Sequence, residues 1–291
     1  MKTFERLIPI FPKAELIFLQ GWGEPLMNPN FLKMLSLVKN SGAKAGTSTN
    51  GMLLDDDMIK RLVKSEIDII AFSLVGAASG NDTVRKGANF DTIIRNIRKF
   101  KEIKKNLHRD KPNLHIAYLL LKSGLDKLAE LSDTLKDCNI NQIVVSTLDF
   151  IPDKALENET IRPKDLSEYD ELKKYLDTIA KSSKQRGIGL HYHLHHPVER
   201  QKTCTENIQR AFFVSSNGDI APCVFAGLPV SKAEYYINNR PQKYRPLTFG
   251  NINEKSLPRI WFRKGYETFR ESFEKGKPDY ICHDCPKLYM T

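Results

Sequence analysis

Residues 15–75 read ELIFLQGWGEPLMNPNFLKMLSLVKNSGAKAGTSTNGMLLDDDMIKRLVKSEIDIIAFSLV, and this stretch decides the fold. Short apolar runs at 15–20, 44–49 and 68–75 alternate with helical spacing of apolar residues at 30–40 and 55–65. The runs have strand length, and nearly all are too apolar for an antiparallel sheet with one wet face. Asp55 stands where a helix N-cap belongs, and Gly42 and Gly51 punctuate element ends. The alternation continues with strand-like runs at 114–121 and 142–148 and helical patterns at 90–106 and 124–137. Such alternation implies right-handed crossovers and an α/β fold with a parallel sheet, open or curled toward a barrel.

Beyond residue 149 the pattern changes. A polar helix over 163–186 leads to the strand-like run HYHLHH at 191–196. Asn217-Gly218, between FFVSS and DIAPC, signals a two-residue hairpin loop. Residues 241–246 read as loop and 256–273 as a final helix. These changes place a boundary near residue 190, giving domains 1–190 and 191–291.

Hydrophobic residues make up 41% of the 291 and charged residues 27%, which excludes wholesale disorder. No apolar run reaches the roughly 18–20 residues of a membrane helix, and no signal peptide opens the chain, so a cytoplasmic protein with no membrane partner is expected. Lys plus Arg exceed Asp plus Glu, 45 to 35, for a net charge of +10. The excess is dispersed along helices among acidic residues, as on a solvated surface, and predicts no nucleic-acid partner.

Four of the five cysteines fall in the last third. Cys204 precedes Cys223 across the Asn217-Gly218 turn, and Cys282 and Cys285 form C-x-x-C. A C-x-x-C turn brings two thiolates to one metal centre, and a hairpin can deliver the other pair. The spacing is compatible with a tetrahedral zinc or a 4Fe–4S cluster. Cys138, at a helix end, reads as a small buried hydrophobe. His191, His193 and His195 alternate, as if lining one strand face; a polar cleft lining is the favoured reading over a metal site. His283, inside the C-x-x-C, is expected to face solvent.

The succession NGDIAPC, Phe249-Gly250-Asn251, Ile260-Trp261, Phe269-Arg270 and CHDC resembles the C-terminal SPASM or twitch domain of radical SAM enzymes. The full SPASM pattern has a further cysteine where this chain has Thr291, so the single-cluster twitch version fits better. The first half resembles the same superfamily: LIFLQGWGEPLMNPNF matches its strand-end GGEP motif, with Trp22 in place of the first Gly. GTSTNGMLL and FSLVGAASGNDTVRKGANF match the next two strand ends. The resemblance implies a partial (β/α) barrel lacking its first strand, followed by a small cysteine-rich domain. It implies that Cys204, Cys223, Cys282 and Cys285 hold an auxiliary 4Fe–4S cluster, and that S-adenosylmethionine (SAM) binds the barrel. Gly23, Glu24 and Pro25 would receive its ammonium group, Thr49, Asn50 and Ser73 its ribose, and Arg85 its carboxylate. Where the family often carries Asp after Ser-Leu, this chain has Val75.

The superfamily cleaves SAM with a 4Fe–4S cluster held by C-x-x-x-C-x-x-C after the first strand. No cysteine precedes Cys138. The expectation is therefore that Met1 is not the natural start, that the triplet and a second 4Fe–4S cluster belong to an upstream segment, and that the chain as given is inactive. With that segment the protein would modify a peptide, protein or small-molecule substrate, fed by an external electron donor. The rival expectation is a non-catalytic binding module with a structural zinc or iron-sulfur site. A barrel hydrolase using Glu24 lacks a partner base.

Overall fold

The computed structural model describes residues 1–76, 79–230, 233–237, 240–278, 280–283 and 285–291. They form two compact units. One comprises Phe11–Thr147 and Lys173–Tyr192; the other comprises Met1–Ile10, Leu148–Leu172 and His193–Thr291. The units interleave along the chain, whereas the division at residue 190 is a proposal about domains.

The first unit is built on six parallel strands: β1 (Leu16–Phe18), β2 (Lys44–Thr49), β3 (Ile69–Val75), β4 (Asn113–Leu120), β5 (Gln142–Thr147) and β6 (Gly189–Tyr192). They lie side by side in chain order. With every crossover right-handed and every step in one direction, all connecting helices fall on one face, which is the winding of a barrel wall. The burial pattern follows. Leu114, Ile116, Tyr118 and Leu120 of β4 are buried, while His115, Ala117 and Leu119 between them are half-buried. In β5, Ile143, Val145 and Thr147 are buried and Ser146 is exposed. The sheet is thus covered on one face and half-open on the other, and its strands run parallel, as their apolar character implied. Small residues such as Ser73 and Ala117 stay half-buried on the inner face.

The covering helices form for local reasons. Asp55 caps Asp56–Lys64, its Oδ1 accepting from the Met58 N–H at 2.7 Å. Asn89 caps Phe90–Asn106 in the same way, through Thr92. Their apolar stripes, Ile59, Leu62 and Val63 on one and Ile93, Ile97 and Phe100 on the other, are fully buried. Phe100 meets Phe72 of β3 edge-on at 6.0 Å. No described helix is long and apolar enough to cross a membrane.

In the other unit β7 (Phe213–Val214), β8 (Asp219–Ala221) and β11 (Gly250–Asn251) form an antiparallel sheet, and β9 (Glu234–Ile237) pairs with β10 (Arg240–Lys243). Its core gathers Ile208, Ile220, Ile252, Leu257, Ile260, Tyr266, Phe269 and Phe273, with Leu7 and Ile10 packed against it.

Four local readings need correction here. The β7–β8 loop has three residues rather than two. Ser215 N donates to Asp219 O and Gly218 N to Ser215 O. Only Gly218 has a positive φ (+95°), so the turn is type I plus a left-handed residue, since type I′ would require Asn217 to be left-handed too. Residues 240–243, read as loop, form an edge strand, where Pro241 is tolerated. The final helix is two, Leu257–Trp261 and Lys264–Glu274, broken at the extended Arg263. Finally, β6 ends at Tyr192, so the three histidines share no strand face: His191 belongs to the sheet unit and His193 and His195 to the other.

Candidate functional site

Functional side chains of a parallel barrel wall collect at the C-terminal ends of its strands, because loops from neighbouring strands meet there. At that end of β1 and β2, Glu24 is the organising residue. Its Oε1 accepts from Thr49 Oγ1 at 2.8 Å and from the Leu26 N–H at 3.2 Å, and its Oε2 from the Asn50 N–H at 2.7 Å. One carboxylate thereby ties its own loop to the end of β2. Pro25 opens the short turn Pro25–Met27, which Glu24 caps.

Thr49 is buried, and its hydroxyl is committed to Glu24 as donor and to the Gly51 N–H as acceptor. The structure turns it toward the carboxylate, as a positioning group. Asn50 uses its Oδ1 on the Met52 N–H at 2.9 Å, and among the described residues its Nδ2 has no partner. Ser73, half-buried on the inner face of β3, makes no hydrogen bond through its hydroxyl among the described residues. A Cβ on Gly23 would meet nothing within 4 Å, so the space beside its backbone is open. Arg85 is lowered from its ordinary value by burial, opposed by the Glu24 carboxylate, yet the two close no ion pair. The arrangement offers one anion, one cation, a free amide and a free hydroxyl at adjoining strand ends. That set is complementary to a zwitterion bearing polar substituents.

Sequence reasoning missed two supports. Asn96, buried in an apolar helix stripe, donates from Nδ2 to Gly51 O at 2.9 Å and fixes the turn after Asn50. Asn81, fully buried, accepts the Val75 N–H at 3.1 Å and holds the end of β3. A lone Asn among buried Ile positions was the available signal for Asn96. Residues 77 and 78 of the third motif lie outside the described residues.

The second constellation is in the other unit. Three of its thiols accept backbone N–H groups just downstream: Cys204 from Glu206, Cys223 from Ala226 (3.4 Å) and Cys285 from Lys287. Cys282 packs on the same core as Cys204 and Cys223. Burial pushes the Cys204 and Cys223 thiols up to about 12 and raises Cys285 too. Left without a cation these sulfurs stay protonated, while N–H···S bonds favour the charged thiolate, so the donor set fits a metal-bound state. No group of three His, Cys, Asp or Glu among the described residues converges tightly enough for one ion. Cys285 nonetheless bears electrostatically on Cys204 and Cys223. A tetrahedral zinc needs all four sulfurs at about 2.3 Å.

Charges flank the thiols. Lys287 is half-buried, its Nζ 2.9 Å from Asp149 Oδ2 and 3.2 Å from Glu206 Oε1. Arg162, lowered by burial and opposed by Asp149, lies near Cys285. His195 stacks on Tyr289 at 5.3 Å, and burial followed by Arg162 holds it down at about 4. It is a neutral packing residue. Cys138 is fully buried and remote from this group in sequence, and His283 is exposed.

Comparison with known proteins agrees with both halves. Residues 3–109 match the radical SAM superfamily model, and residues 204–286 match SPASM, an iron-sulfur cluster-binding domain. A tungsten-containing aldehyde ferredoxin oxidoreductase cofactor-modifying protein of Pyrococcus furiosus is 27% identical over 278 residues, 94% of this chain and 74% of that protein. An Fe-coproporphyrin III synthase of Methanosarcina barkeri is 23% identical, over 84% of this chain and 61% of its own length. Streptococcus suis SuiB, solved with S-adenosylmethionine, superposes with a TM-score of 0.68 at 19% identity, covering 99% of this chain and 64% of SuiB. SuiB has also been solved with its precursor peptide SuiA.

Proposed function

Because this chain belongs to the radical SAM superfamily and carries a SPASM iron-sulfur cluster-binding domain, we propose that it is the SAM-binding and auxiliary-cluster portion of a maturase. Its substrate would be a peptide, a protein or a small-molecule cofactor, and an external donor would supply its electrons. The observation that carries this reading is the Glu24 hub: one carboxylate fixes the ends of β1 and β2 while Arg85, Asn50 and Ser73 keep groups available beside it.

When bound together, SAM and a reduced 4Fe–4S cluster supply reductive cleavage of a carbon–sulfur bond of the sulfonium. The chain's own residues bind and orient. Arg85 receives the SAM carboxylate, Glu24 and the backbone at Gly23 face its ammonium group, and Asn50 and Ser73 reach its ribose hydroxyls. Residues 1–137 contain no cysteine, so nothing in this stretch can hold the cluster that cleaves SAM, and no cleavage step is assigned to it. Cys204, Cys223, Cys282 and Cys285 would hold the auxiliary cluster. The name of the Pyrococcus relative favours a cofactor as substrate, and the SuiB complex a peptide.

Anaerobic reconstitution with iron and sulfide tests the reading. Expected are broad visible absorbance, which zinc thiolates lack, and SAM binding by calorimetry with no 5′-deoxyadenosine formed. Replacing any of the four cysteines with Ala should lower the iron content and destabilise the 193–291 region, since metal binding is coupled to folding. One zinc, no iron and no SAM binding would instead favour the non-catalytic binding module.

A further inference from the structure

The Phe249-Gly250-Asn251, Ile260-Trp261 and Phe269-Arg270 signatures supply no thiolate, yet they converge on one pair of side chains. Tyr266 stacks face to face on Phe249, with centroids 4.0 Å apart and planes 9° from parallel, and meets Trp261 edge-on at 5.1 Å. The Arg270 guanidinium lies 4.0 Å from the Trp261 ring centroid and 4.6 Å from that of Tyr266. Its Nη2 donates to Trp261 O at 2.9 Å, satisfying the end of the broken helix.

Two donors in this assembly find no acceptor. Tyr266 is 0% exposed, and its hydroxyl has no hydrogen-bond partner; neither has Arg270 Nη1. Buried polar groups in native proteins are almost always satisfied, so each such exception calls for an acceptor. Cys204, Cys223 and Cys282 pack against the very core that holds Tyr266, and the Tyr266 hydroxyl is within electrostatic reach of Cys223. Among the described residues no carboxylate forms an ion pair with Arg270, and Glu271 acts on it only electrostatically. Lys287, by contrast, is held by Asp149 and Glu206.

We propose that Tyr266 Oη–H and Arg270 Nη1–H donate hydrogen bonds to the sulfurs of the iron-sulfur group at Cys204, Cys223, Cys282 and Cys285, and thereby raise its reduction potential. This inference rests on the auxiliary-cluster reading above. A hydrogen bond to sulfur and a nearby positive charge both favour the form carrying one more electron. One electron enters from the reductant, no covalent bond is made or broken, and both protons stay on their oxygen and nitrogen. Tyr266 and Arg270 are positioning residues that act through the cluster.

The test uses the full chain, reconstituted anaerobically and titrated with dithionite under paramagnetic-resonance detection. Tyr266→Phe keeps the ring and removes only the hydroxyl. It should load as much iron as wild type, while at the wild-type midpoint its reduced-to-oxidised ratio falls roughly tenfold, a shift of about 59 mV for one electron. Arg270→Gln should shift further in the same direction, and Arg270→Lys less. Without iron, Tyr266→Phe should be at least as stable as wild type, because the lost hydroxyl had no partner. A merely structural tyrosine would instead weaken the metal-free and loaded forms alike. Fully loaded Tyr266→Phe with an unmoved midpoint overturns the proposal and leaves the cluster reading intact. Wild type that takes up no iron overturns the cluster reading itself. If Tyr266→Phe does not load, the two Arg270 variants decide, and midpoints equal to wild type overturn the proposal.

Discussion

Glu24→Gln isolates the charge and geometry of the hub without changing its size. The carboxylate serves three donors, the Thr49 hydroxyl and Leu26 N–H on one oxygen and the Asn50 N–H on the other. An amide has one acceptor oxygen. Set toward Thr49 and Leu26, it turns its NH2 onto the Asn50 N–H, donor against donor; set the other way, it loses both remaining partners. The better orientation forfeits one charge-assisted bond, about 1.5–3 kcal/mol, and leaves an unmet backbone donor. Because the site is only half-buried, the expected loss is about 2–3 kcal/mol, or roughly 30- to 150-fold in the opening equilibrium. Native-state hydrogen exchange should show that acceleration at the Asn50 amide, while amides in the middle of β4 change far less. Calorimetry on the same variant should show weaker SAM binding, since the negative charge facing the ammonium group is lost. An Asn50 exchange rate within threefold of wild type would refute the claim that Glu24 organises the strand ends.

Arg85→Ala should weaken SAM binding by about 1.5–3 kcal/mol, the usual worth of a hydrogen bond to a charged group, and unchanged calorimetry would remove Arg85 from the site. Asp68 accepts from Lys39, Lys111 and the Ala45 N–H. Burial tends to raise its carboxyl, but these three partners outweigh burial and hold it below 3.8. Its stabilisation is therefore complete above the unfolded value of 3.8 and is lost as pH falls through the lower folded value, so the melting difference between wild type and Asp68→Asn should be constant above about pH 4 and shrink below it. Gly218→Ala forces a left-handed alanine whose Cβ would lie 2.5 Å from Asn253 Nδ2. It should cost about 2–3 kcal/mol, read by Trp261 fluorescence on urea unfolding. His195, held neutral down to about 4 against an ordinary 6.5, should make the 193–291 region lose stability as pH falls from 6.5 toward 4, and His195→Gln should flatten that slope.

The chain's periodicity located its elements because period and length are local properties. The run at 44–49 is a strand with the expected ends, 90–106 is the expected helix, and Asp55 caps where a short acceptor side chain before an amphipathic run should. The four clustered cysteines and the Gly-Glu-Pro motif were likewise legible, since side-chain chemistry and spacing need no fold to be seen. Which groups those side chains would meet was not legible. Thr49 looked like a ribose contact until the tertiary structure spent its hydroxyl on Glu24, 25 positions away. Asn217-Gly218 carries the signal of a two-residue turn, yet Asn251 Nδ2 and Asn253 Nδ2 both donate to Asn217 O and hold a three-residue one. Nor could any local pattern show that Tyr266 and Arg270 pack together and that each leaves one buried donor without an acceptor among the described residues. A residue's type and period are set by its neighbours in the chain, whereas the partner that satisfies it is chosen by long-range packing, which only the folded structure brings together.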